Sequence, residues 1–439
     1  MRPRKPARRL RTASDLSPLS AGEWTCSGTT SPASLLYLSY DGMTDPLGRS
    51  QVLPYLIGLA ARGHRIDLIS LDKPNLLARN GRTVKALCDA AGIRWHSIPY
   101  RWSPAFIAGR RNVRALTLTG AALQQERNHD LVHCRSDLAG IAGLALQRRF
   151  GLKLLYDMRA LWPDERAEGG AWDQSKFIYR ALFRHFKRLQ HELVARSDAV
   201  VTLSNRGRDM LPSLGLNNNT LVDVIPCCAD FDHFTLPNPA GRAARRFELA
   251  VGSAPLLIHL GTIGCNVMLD EMLDFFAAYR RRRADARLLF LTPAGDVKIC
   301  AAAAARGLSD AVEIRSATRE EVPDWIGAAD LGLFFVRPVP SKRAASPTKL
   351  GEMLACGLPV ITNDGIGDMS EIIAEIGAGV VIDRFDPTAY DQAIDRLDNS
   401  RFDPAAIRQQ ARKWFDIVGG IDRYDLLYRR LANADFSQE

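Results

Sequence analysis

The chain has 439 residues, of which 46% are hydrophobic and 24% are charged. This length exceeds what one ordinary hydrophobic core can hold, so we expect two domains. The composition is that of a soluble globular protein. The net charge is +9, and residues 1–31 alone hold six Arg or Lys against two acidic residues. Because the sequence shows neither a nucleic-acid-binding module nor interleaved aromatic and basic residues, this charge does not indicate a nucleic-acid partner.

Residues 1–31 are predicted to be a disordered basic tail. No secretory signal is predicted there, because the Ser/Thr/Gly-rich part lacks the apolar core that such a signal contains. The longest uncharged run, residues 249–269, is broken by glycines and a proline, so we predict a strand and a glycine turn there instead of a membrane span. The eight cysteines show no CxxC spacing, which favours reduced, buried thiols over a disulfide frame or zinc site and indicates the cytoplasm.

The fold begins with a predicted buried strand at Ser34–Ser39. A helix over residues 50–61 has Val52, Leu53, Leu56 and Leu59 at helical spacing, and a second strand follows at residues 65–70. Strand, loop, helix and strand within about forty residues form a parallel βαβ unit.

Similar units continue along the chain and divide into two α/β runs. We therefore predict two Rossmann-like domains that face each other across a cleft, with the ligand between the carboxyl ends of their strands. The predicted boundaries are 32–205 for the first domain, 206–221 for a linker, 222–414 for the second domain and 415–439 for a C-terminal helix.

The most informative stretch is residues 340–362, which reads as a loop, a short helix and a strand. Ser346 is a natural N-cap and Pro347 suits the first helical position, while a left-handed Gly357 would end the helix. The helix start offers N–H groups and a positive dipole to an anion, with Thr348 and Lys349 on its first turn.

Glu352 lies one turn after Thr348 on the same face of this helix. A carboxylate behind a phosphate site suits a vicinal diol, because its two oxygens accept two hydroxyl hydrogen bonds. Phosphate and diol together indicate a nucleotide ribose. The alternative is a capped surface helix with a solvated Lys and Glu.

This stretch resembles the donor-binding segment of retaining glycosyltransferases of the GT-B fold, family four. The resemblance implies a nucleotide diphosphate sugar as co-substrate, no cofactor and no metal, and it gives Glu352 the role of the second glutamate of the family's pair, which holds the ribose. The first glutamate would fall at position 344, where this chain has Ala344. The matching positions are Ser346, Pro347, Thr348, Lys349, Glu352, Ala355, Gly357, Pro359 and Val360.

The resemblance covers roughly residues 34–430 and implies further donor contacts. Gly48 would belong to a glycine loop against the diphosphate, and Gly261, Thr262 and Gly264 to a glycine turn beneath it. Lys349, helped by Lys342 or Arg337, would neutralise the diphosphate, and the helix from Phe415 would cross back to the first domain. Gly365 lies in a second glycine loop that either approaches the ligand or is a plain turn, and Asp368 with Glu371 reads as a capping box.

His133 directly follows an apolar run, at the edge of the sheet where parallel strands place their sites. A lone histidine in such a place is either structural or functional. In the family a histidine at this strand end lies beside the donor sugar, which implies that His133 supports the reacting carbon by hydrogen bonding and electrostatics, with Lys349 as the second catalytic residue.

Each of two charged segments of the first domain has two possible interpretations. Residues 157–166 are a dense charged loop after a strand, either a solvated face or an acceptor-side or interdomain loop to which Arg159 and Glu165 belong. Residues 176–196 form a basic amphipathic helix with Phe177 and Ile178 on its apolar side. Such a helix lies on an anionic membrane or is an ordinary peripheral helix of the domain.

We thus expect a glycosyltransferase that moves a sugar to a saccharide or lipid-linked saccharide, in cell-surface polysaccharide or glycoconjugate synthesis. It would be cytoplasmic, with at most a peripheral contact at the inner face of an anionic membrane. The alternatives are a nucleotide-sugar epimerase of the same architecture and a non-catalytic subunit that binds a nucleotide sugar.

Overall fold

A computed structural model describes residues 31–293 and 297–433. The basic tail predicted for residues 1–31 lies, except for its last residue, outside the described residues. Two fully parallel sheets form two α/β domains, as the sequence predicts.

The first sheet has seven strands in the order β3-β2-β1-β4-β5-β6-β7. Its strands are β1 Ser34–Ser39, β2 Arg65–Asp72, β3 Arg94–Pro99, β4 Leu131–Arg135, β5 Lys153–Asp157, β6 Ala199–Thr202 and β7 Leu221–Val224. The helices of this part of the chain are α1 Pro46–Gln51, α2 Leu53–Ala61, α3 Pro74–Ala90, α4 Ala105–Glu126, α5 Ser136–Phe150, α6 Trp162–Glu168, α7 Phe177–Arg196 and α8 Asn205–Arg208.

The second sheet has six strands in the order β10-β9-β8-β11-β12-β13. They are β8 Leu256–Leu260, β9 Arg287–Leu291, β10 Val312–Arg315, β11 Leu331–Leu333, β12 Val360–Asn363 and β13 Gly379–Ile382. The remaining helices are α9 Pro239–Glu248, α10 Leu269–Arg282, α11 Val297–Ala304, α12 Val322–Ala328, α13 Thr348–Ala355, α14 Met369–Ile376, α15 Pro387–Asp398, α16 Pro404–Phe415 and α17 Ile417–Ala432, with 3₁₀ turns at Leu211–Leu214, Arg319–Glu321 and Pro340–Ala344.

The boundary between the domains differs from the predicted one. The strand expected to open the second domain at position 222 is β7, and it pairs in parallel with β6 as the last strand of the first sheet. The expected linker, residues 206–221, contains most of α8 and a 3₁₀ turn. The apolar residues of β7 alone could not reveal which sheet would bury them.

The helix expected over residues 50–61 is broken at Val52, which has φ −127°. Pro54 explains the break, because it has no N–H to donate to the preceding turn and its ring crowds that turn's carbonyl. The chain therefore forms the short α1 and then restarts as α2.

The last helix, α17, belongs to the core of the first domain. It packs against α2 and β4, and its buried residues join the cluster that covers one face of the first sheet. Within this cluster Tyr424 meets Tyr55 edge to face, with ring centroids 5.7 Å apart. The predicted return of the chain to its first domain is thus seen in the position of α17.

The carboxyl edges of the two sheets face each other. The segments that follow β5 and β6, α6 and α8, both contact the 3₁₀ turn Pro340–Ala344, which follows β11 of the second sheet. Asp368 extends this contact by accepting hydrogen bonds from the backbone N–H groups of Asn205 and Arg206, at 2.6 and 3.1 Å. Residues at these edges therefore lie at the junction of the domains.

Candidate functional site

The start of α13 is the centre of the site. The helix begins at Thr348 and Pro347 is its N-cap, one residue later than predicted, and no side chain caps it. The predicted cap is occupied elsewhere, because Ser346 Oγ accepts a hydrogen bond of 3.2 Å from the N–H of Cys227, in the segment that crosses between the domains. The first turn thus keeps the uncapped N–H groups that an anion site requires.

The end of α13 is as predicted. Gly357 has φ +72°, and the N–H of Leu358 donates to the carbonyl of Met353 at 3.0 Å, which is the Schellman arrangement. This tight ending leads the chain directly into β12 and fixes the helix relative to the sheet.

Lys349 lies half-buried on the first turn of α13, and its environment was not predicted. Its Nζ lies 3.4 Å from Nε2 of His259 and 5.6 Å from the ring centre of Phe334. Burial lowers the pKa of Lys349 to about 8, against the opposing effect of Glu352. The ammonium is therefore mostly charged at neutral pH and poorly solvated, which makes it a strong partner for a phosphate.

The predicted glycine turn follows β8 and reaches the same place. Gly261 has φ +94°, a backbone conformation that favours glycine, and the point where a Cβ would stand lies 3.9 Å from Lys349 Nζ. Thr262 and Gly264 are exposed. The turn and the α13 start thus share one opening at the carboxyl edge of the second sheet.

Glu352 lies half-buried one turn further along α13. Burial raises the pKa of its carboxyl to about 7, while Arg319 and Lys349 oppose this shift. The carboxyl thus shares its surroundings with the ammonium of Lys349 and the guanidinium of Arg319. Its environment is polar and cationic, as a contact with a nucleotide would need.

We expected the family's first glutamate at position 344, and Ala344 there packs into the core of the first domain instead of lining this opening. It is fully buried within the core of the first domain. The point where a Cβ on Gly207 would stand lies 3.2 Å from the Cβ of Ala344. Only small residues fit on both sides of this contact, so a carboxylate has no room here.

The second glycine loop, residues 363–368, packs against the segment before α13. Gly365 has φ +91° and its Cβ point lies 2.9 Å from Pro338, and a Cβ on Gly367 would overlap the carbonyl of Ala345. These contacts explain the glycines by packing. The predicted capping box at Asp368 is wrong, because Asp368 makes no side-chain cap to α14 and bonds to α8, and Glu371 pairs with Arg206.

His133 does not lie at the strand end. It is inside β4, 2% exposed, and its Nδ1 lies 2.6 Å from the hydroxyl of Tyr428 on α17. Burial lowers its pKa, although Asp157, 3.6 Å from Nε2, opposes the shift. A small cavity beside these residues has room for about one water molecule. The cavity is lined by Tyr37, Gln51, Tyr55, Leu56, Leu59, His133, Arg135, Asp157, Arg159, Tyr424 and Tyr428.

The charged loop after β5 is divided between the core and the domain junction. Arg159 is mostly buried, with 11% of its side chain exposed, and its guanidinium lies 3.5 Å from Asp157 and donates to Cys227 Sγ at 3.2 Å. Glu165 pairs with Lys342 across the domains. Arg159 is thus no exposed acceptor-side residue, Glu165 is an interdomain contact, and Lys342 is committed to Glu165 instead of a diphosphate.

Gly48 is part of α1, not of a loop. It is buried, and a Cβ there would overlap the carbonyl of Gly42. Its neighbour Arg49 reaches the second domain and lies 3.3 Å from Glu320, beside Arg319. Packing of α1 therefore explains Gly48, and Arg49 is the residue of this segment that reaches across the domain junction.

Sequence reasoning missed three features of the domain edges. His259 was hidden in the apolar run of β8, although a polar residue in a strand buried on both faces is itself a signal. Arg319 lies far from α13 in sequence and had no motif. Ser136 has φ +74° where β4 turns into α5, a strained conformation for this residue, and no sequence pattern marks it.

Comparisons with known families match both domains. Residues 50–228 match the family described as "Glycosyl transferase 4-like domain" and residues 242–414 the family "Glycosyl transferases group 1". A D-inositol 3-phosphate glycosyltransferase of Xylanimonas cellulosilytica is 26% identical over 304 residues, which are 67% of either chain. The next two relatives of that name are aligned over 62% and 64% of their own lengths.

Solved structures share the fold. A sucrose-phosphate synthase from Thermosynechococcus elongatus has a TM-score of 0.70 at 17% identity and covers 92% of this chain and 100% of its own. The Anabaena protein HepE in complex with UDP-glucose has a TM-score of 0.66 at 15% identity and covers 89% and 98%. Within residues 31–293 and 297–433, no helix has the length and apolar character needed to cross a membrane.

Proposed function

Because this chain belongs to the GT-B glycosyltransferases of the family-four type, we propose that it moves a sugar from a nucleotide diphosphate sugar to a saccharide or lipid-linked saccharide. The product would serve cell-surface polysaccharide or glycoconjugate synthesis. One observation carries the donor assignment. The uncapped start of α13, the half-buried Lys349 and the Gly261 turn meet at one point of the domain junction.

The proposed donor orientation places the diphosphate at the start of α13 and the ribose near Glu352. Lys349 would contact the diphosphate, and the N–H groups of the first turn would add the positive end of the helix dipole. The Glu352 carboxyl would accept hydrogen bonds from the ribose hydroxyls. This order agrees with the spacing of Lys349 and Glu352, which lie one turn apart on one helix.

In the proposed reaction, the bond between the anomeric carbon of the sugar and the donor phosphate oxygen breaks, and its electron pair stays on the phosphate. The acceptor hydroxyl oxygen forms the new bond to the anomeric carbon, and its proton passes to the leaving phosphate. Lys349 and the helix start stabilise the charge that develops on the diphosphate. Transfer with retention follows the family and remains part of the proposal.

A non-catalytic nucleotide-sugar-binding subunit is the second candidate, and Ala344 favours it. The carboxylate that the family places there is absent, and the buried position of Ala344 leaves no space for another group to replace it. Binding of a nucleotide sugar without turnover would support this candidate. We propose the enzyme first because Lys349 with the start of α13 suits a phosphate and Glu352 suits a ribose, which supports binding of an intact donor.

The test is a panel of nucleotides and nucleotide sugars read first by thermal shift, since a ligand at about 100 times its Kd adds about 2.7 kcal/mol of stability. The stabilising donor is then incubated with lipid-linked saccharides in EDTA, and release of nucleoside diphosphate is followed. Lys349→Met should abolish release, whereas the exposed Lys413→Met on α16 should not. If no nucleotide or nucleotide sugar stabilised the protein, the proposal would be contradicted. If release of nucleoside diphosphate required a divalent ion, the claim that the reaction is metal-independent would be wrong.

We also propose that the protein works in the cytoplasm with a peripheral contact at the inner face of an anionic membrane. A lipid-linked acceptor presents its saccharide at such a surface, and the basic residues of α7 would attract it. This contact is independent of the donor site and is tested separately below.

A further inference from the structure

The starts of α4 and α7 project from the same rim of the first domain. Helices α4, α5 and α7 each follow a strand of the parallel sheet, so each begins at the carboxyl edge, and α5 packs against both others. With 22 and 20 residues, α4 and α7 are about 33 and 30 Å long, against about 22 Å for the 15 residues of α5. All three end within a few residues of the next strand, so the extra length lies at their starts.

These projecting ends expose large apolar side chains. Phe177 and Ile178, on the apolar side of the helix that the sequence left as either a membrane-surface helix or an ordinary peripheral helix, are 72% and 70% exposed. They are exposed because α7 packs on the domain mainly through its last turns, where its buried residues lie. On the segment that leads into α4, Trp102 is 61% exposed, and Ile107 on its first turn is 47% exposed.

The same two segments carry only positive charge. Residues 101–114 contain four arginines and residues 176–188 contain five basic residues, and neither segment has an acidic residue. On α7, Arg184 and Arg188 are exposed and lie at helical spacing from Phe177, on its face of the helix. Two lysines of the α7 segment have acidic partners outside it, since Lys187 lies 2.8 Å from Asp164 and Lys176 lies 3.7 Å from Asp173.

We infer that these two helix starts form a docking surface for an anionic lipid bilayer. Exposed aromatic and aliphatic side chains at helix ends enter the headgroup region, and arginines around them pair with lipid phosphates. The surface lies at the edge of the sheet that faces the second domain. It would therefore hold the domain junction near the membrane, where a lipid-linked acceptor is presented, and this last step rests on the proposed function.

The test uses the full chain and vesicles of phosphatidylcholine with or without one third phosphatidylglycerol, measured by co-sedimentation. We expect binding to the anionic vesicles alone, and release by high salt. Each basic residue near such a surface contributes about fivefold to binding, so Arg184→Glu/Arg188→Glu should weaken binding about 25-fold or more. Phe177→Ser/Ile178→Ser should weaken it without removing the salt dependence.

Matched controls come from the second domain. Arg401→Glu/Lys413→Glu has the same charge change, and Phe247→Ser removes an 88% exposed aromatic residue, and both should bind as wild type does. Equal binding of the α7 variants and the controls would overturn the inference, as would equal binding to neutral vesicles. It would also be overturned if the α7 variants split a dimer in light scattering without vesicles, because the surface would then join two copies of this chain.

Nucleotide stabilisation is measured on every variant. Lost vesicle binding with retained stabilisation shows that the protein is folded and supports the docking surface. If wild type binds no vesicle but is stabilised by a nucleotide, the docking inference fails and the proposed function stands. If it binds anionic vesicles and responds to no nucleotide, the proposed function fails and the docking surface stands.

Discussion

The Nζ of Lys349 lies 3.4 Å from Nε2 of His259, so a cation of the proposed donor site contacts a neutral imidazole. Nδ1 of His259 lies 3.1 Å from the carbonyl of Leu333, which only accepts, so the proton must be on Nδ1. This tautomer leaves the lone pair of Nε2 for Lys349. Burial, and then Lys349, hold the pKa of His259 well below its usual value, which keeps the ring neutral.

This pair predicts a pH limit for donor binding. A diphosphate prefers the charged form of Lys349, whose pKa is about 8 in the unliganded protein. The part of the affinity that depends on charged Lys349 should therefore be present below pH 8 and fall by up to tenfold per unit above it. Titration calorimetry with a nucleoside diphosphate between pH 7 and 9.5 measures this. Lys349→Arg stays charged and should show no decline above pH 8, and a wild-type profile without that decline would contradict the prediction.

His259 itself is predicted to position Lys349. His259→Phe keeps the ring but removes the acceptor, so we expect nucleoside diphosphate affinity to fall about tenfold and the decline above pH 8 to shift. His259→Gln keeps an acceptor and should restore part of the affinity. If His259→Phe lowers only the melting temperature and leaves affinity and pH profile unchanged, His259 is a packing residue.

Glu352→Ala tests the ribose contact. It removes up to two charge-assisted hydrogen bonds of about 1.5–3 kcal/mol each, so the Kd of the bare nucleoside diphosphate should rise roughly 10²–10⁴-fold. Glu352→Gln should be milder. Because the pKa of Glu352 is about 7, the difference between wild type and Glu352→Gln should be larger at pH 8 than at pH 6. If Glu352→Ala bound the nucleoside diphosphate as tightly as wild type does, the assignment of Glu352 to the ribose would be wrong.

For His133 we predict an effect on stability. His133→Ala leaves the buried hydroxyl of Tyr428 unpaired and opens a cavity, so the free energy of unfolding should fall by about 2–4 kcal/mol. In the folded state the pKa of His133 is lowered, so the unfolded chain binds more protons. Stability should therefore be lost as pH falls below about 6.5, the unfolded value. Urea unfolding with Tyr428→Phe as the partner mutation checks this. A loss of turnover without loss of stability would instead give His133 the catalytic role that the family implies.

Ala344→Glu is the informative change at the family's missing glutamate. In the core beside Gly207 a carboxylate has neither space nor a partner, so the melting temperature should fall by several degrees. Arg343→Glu, at the exposed neighbouring position, should change it little. An Ala344→Glu protein of normal stability with altered choice of donor sugar would show that the 3₁₀ turn rearranges.

The sequence is sufficient to predict features of the fold that depend on residues close together in the chain. The two parallel α/β runs, the end of α13 at Gly357 and the turn at Gly261 follow from periodicity and from residues that only certain backbone angles accept. Positions that depend on a distant partner were missed. Ser346 caps no helix because Cys227 takes its hydroxyl, Asp368 bonds to α8, and β7 joins the sheet that precedes it. The partners of Ser346 and Asp368 lie 119 and 163 positions away in the sequence, whereas β7 pairs with the neighbouring strand β6.

The position of α17 has a consequence for the order in which the domains are completed during synthesis. The core of the second domain is built from residues between Ala229 and Phe415, whereas the first domain needs residues from Ala33 through Leu431. The ribosome therefore produces the first domain's strands early but supplies Tyr424 and Tyr428 last. We expect a chain that stops at Asp416 to be cut by protease within residues 33–225 while its second domain resists. The domain made first is thus the one finished last.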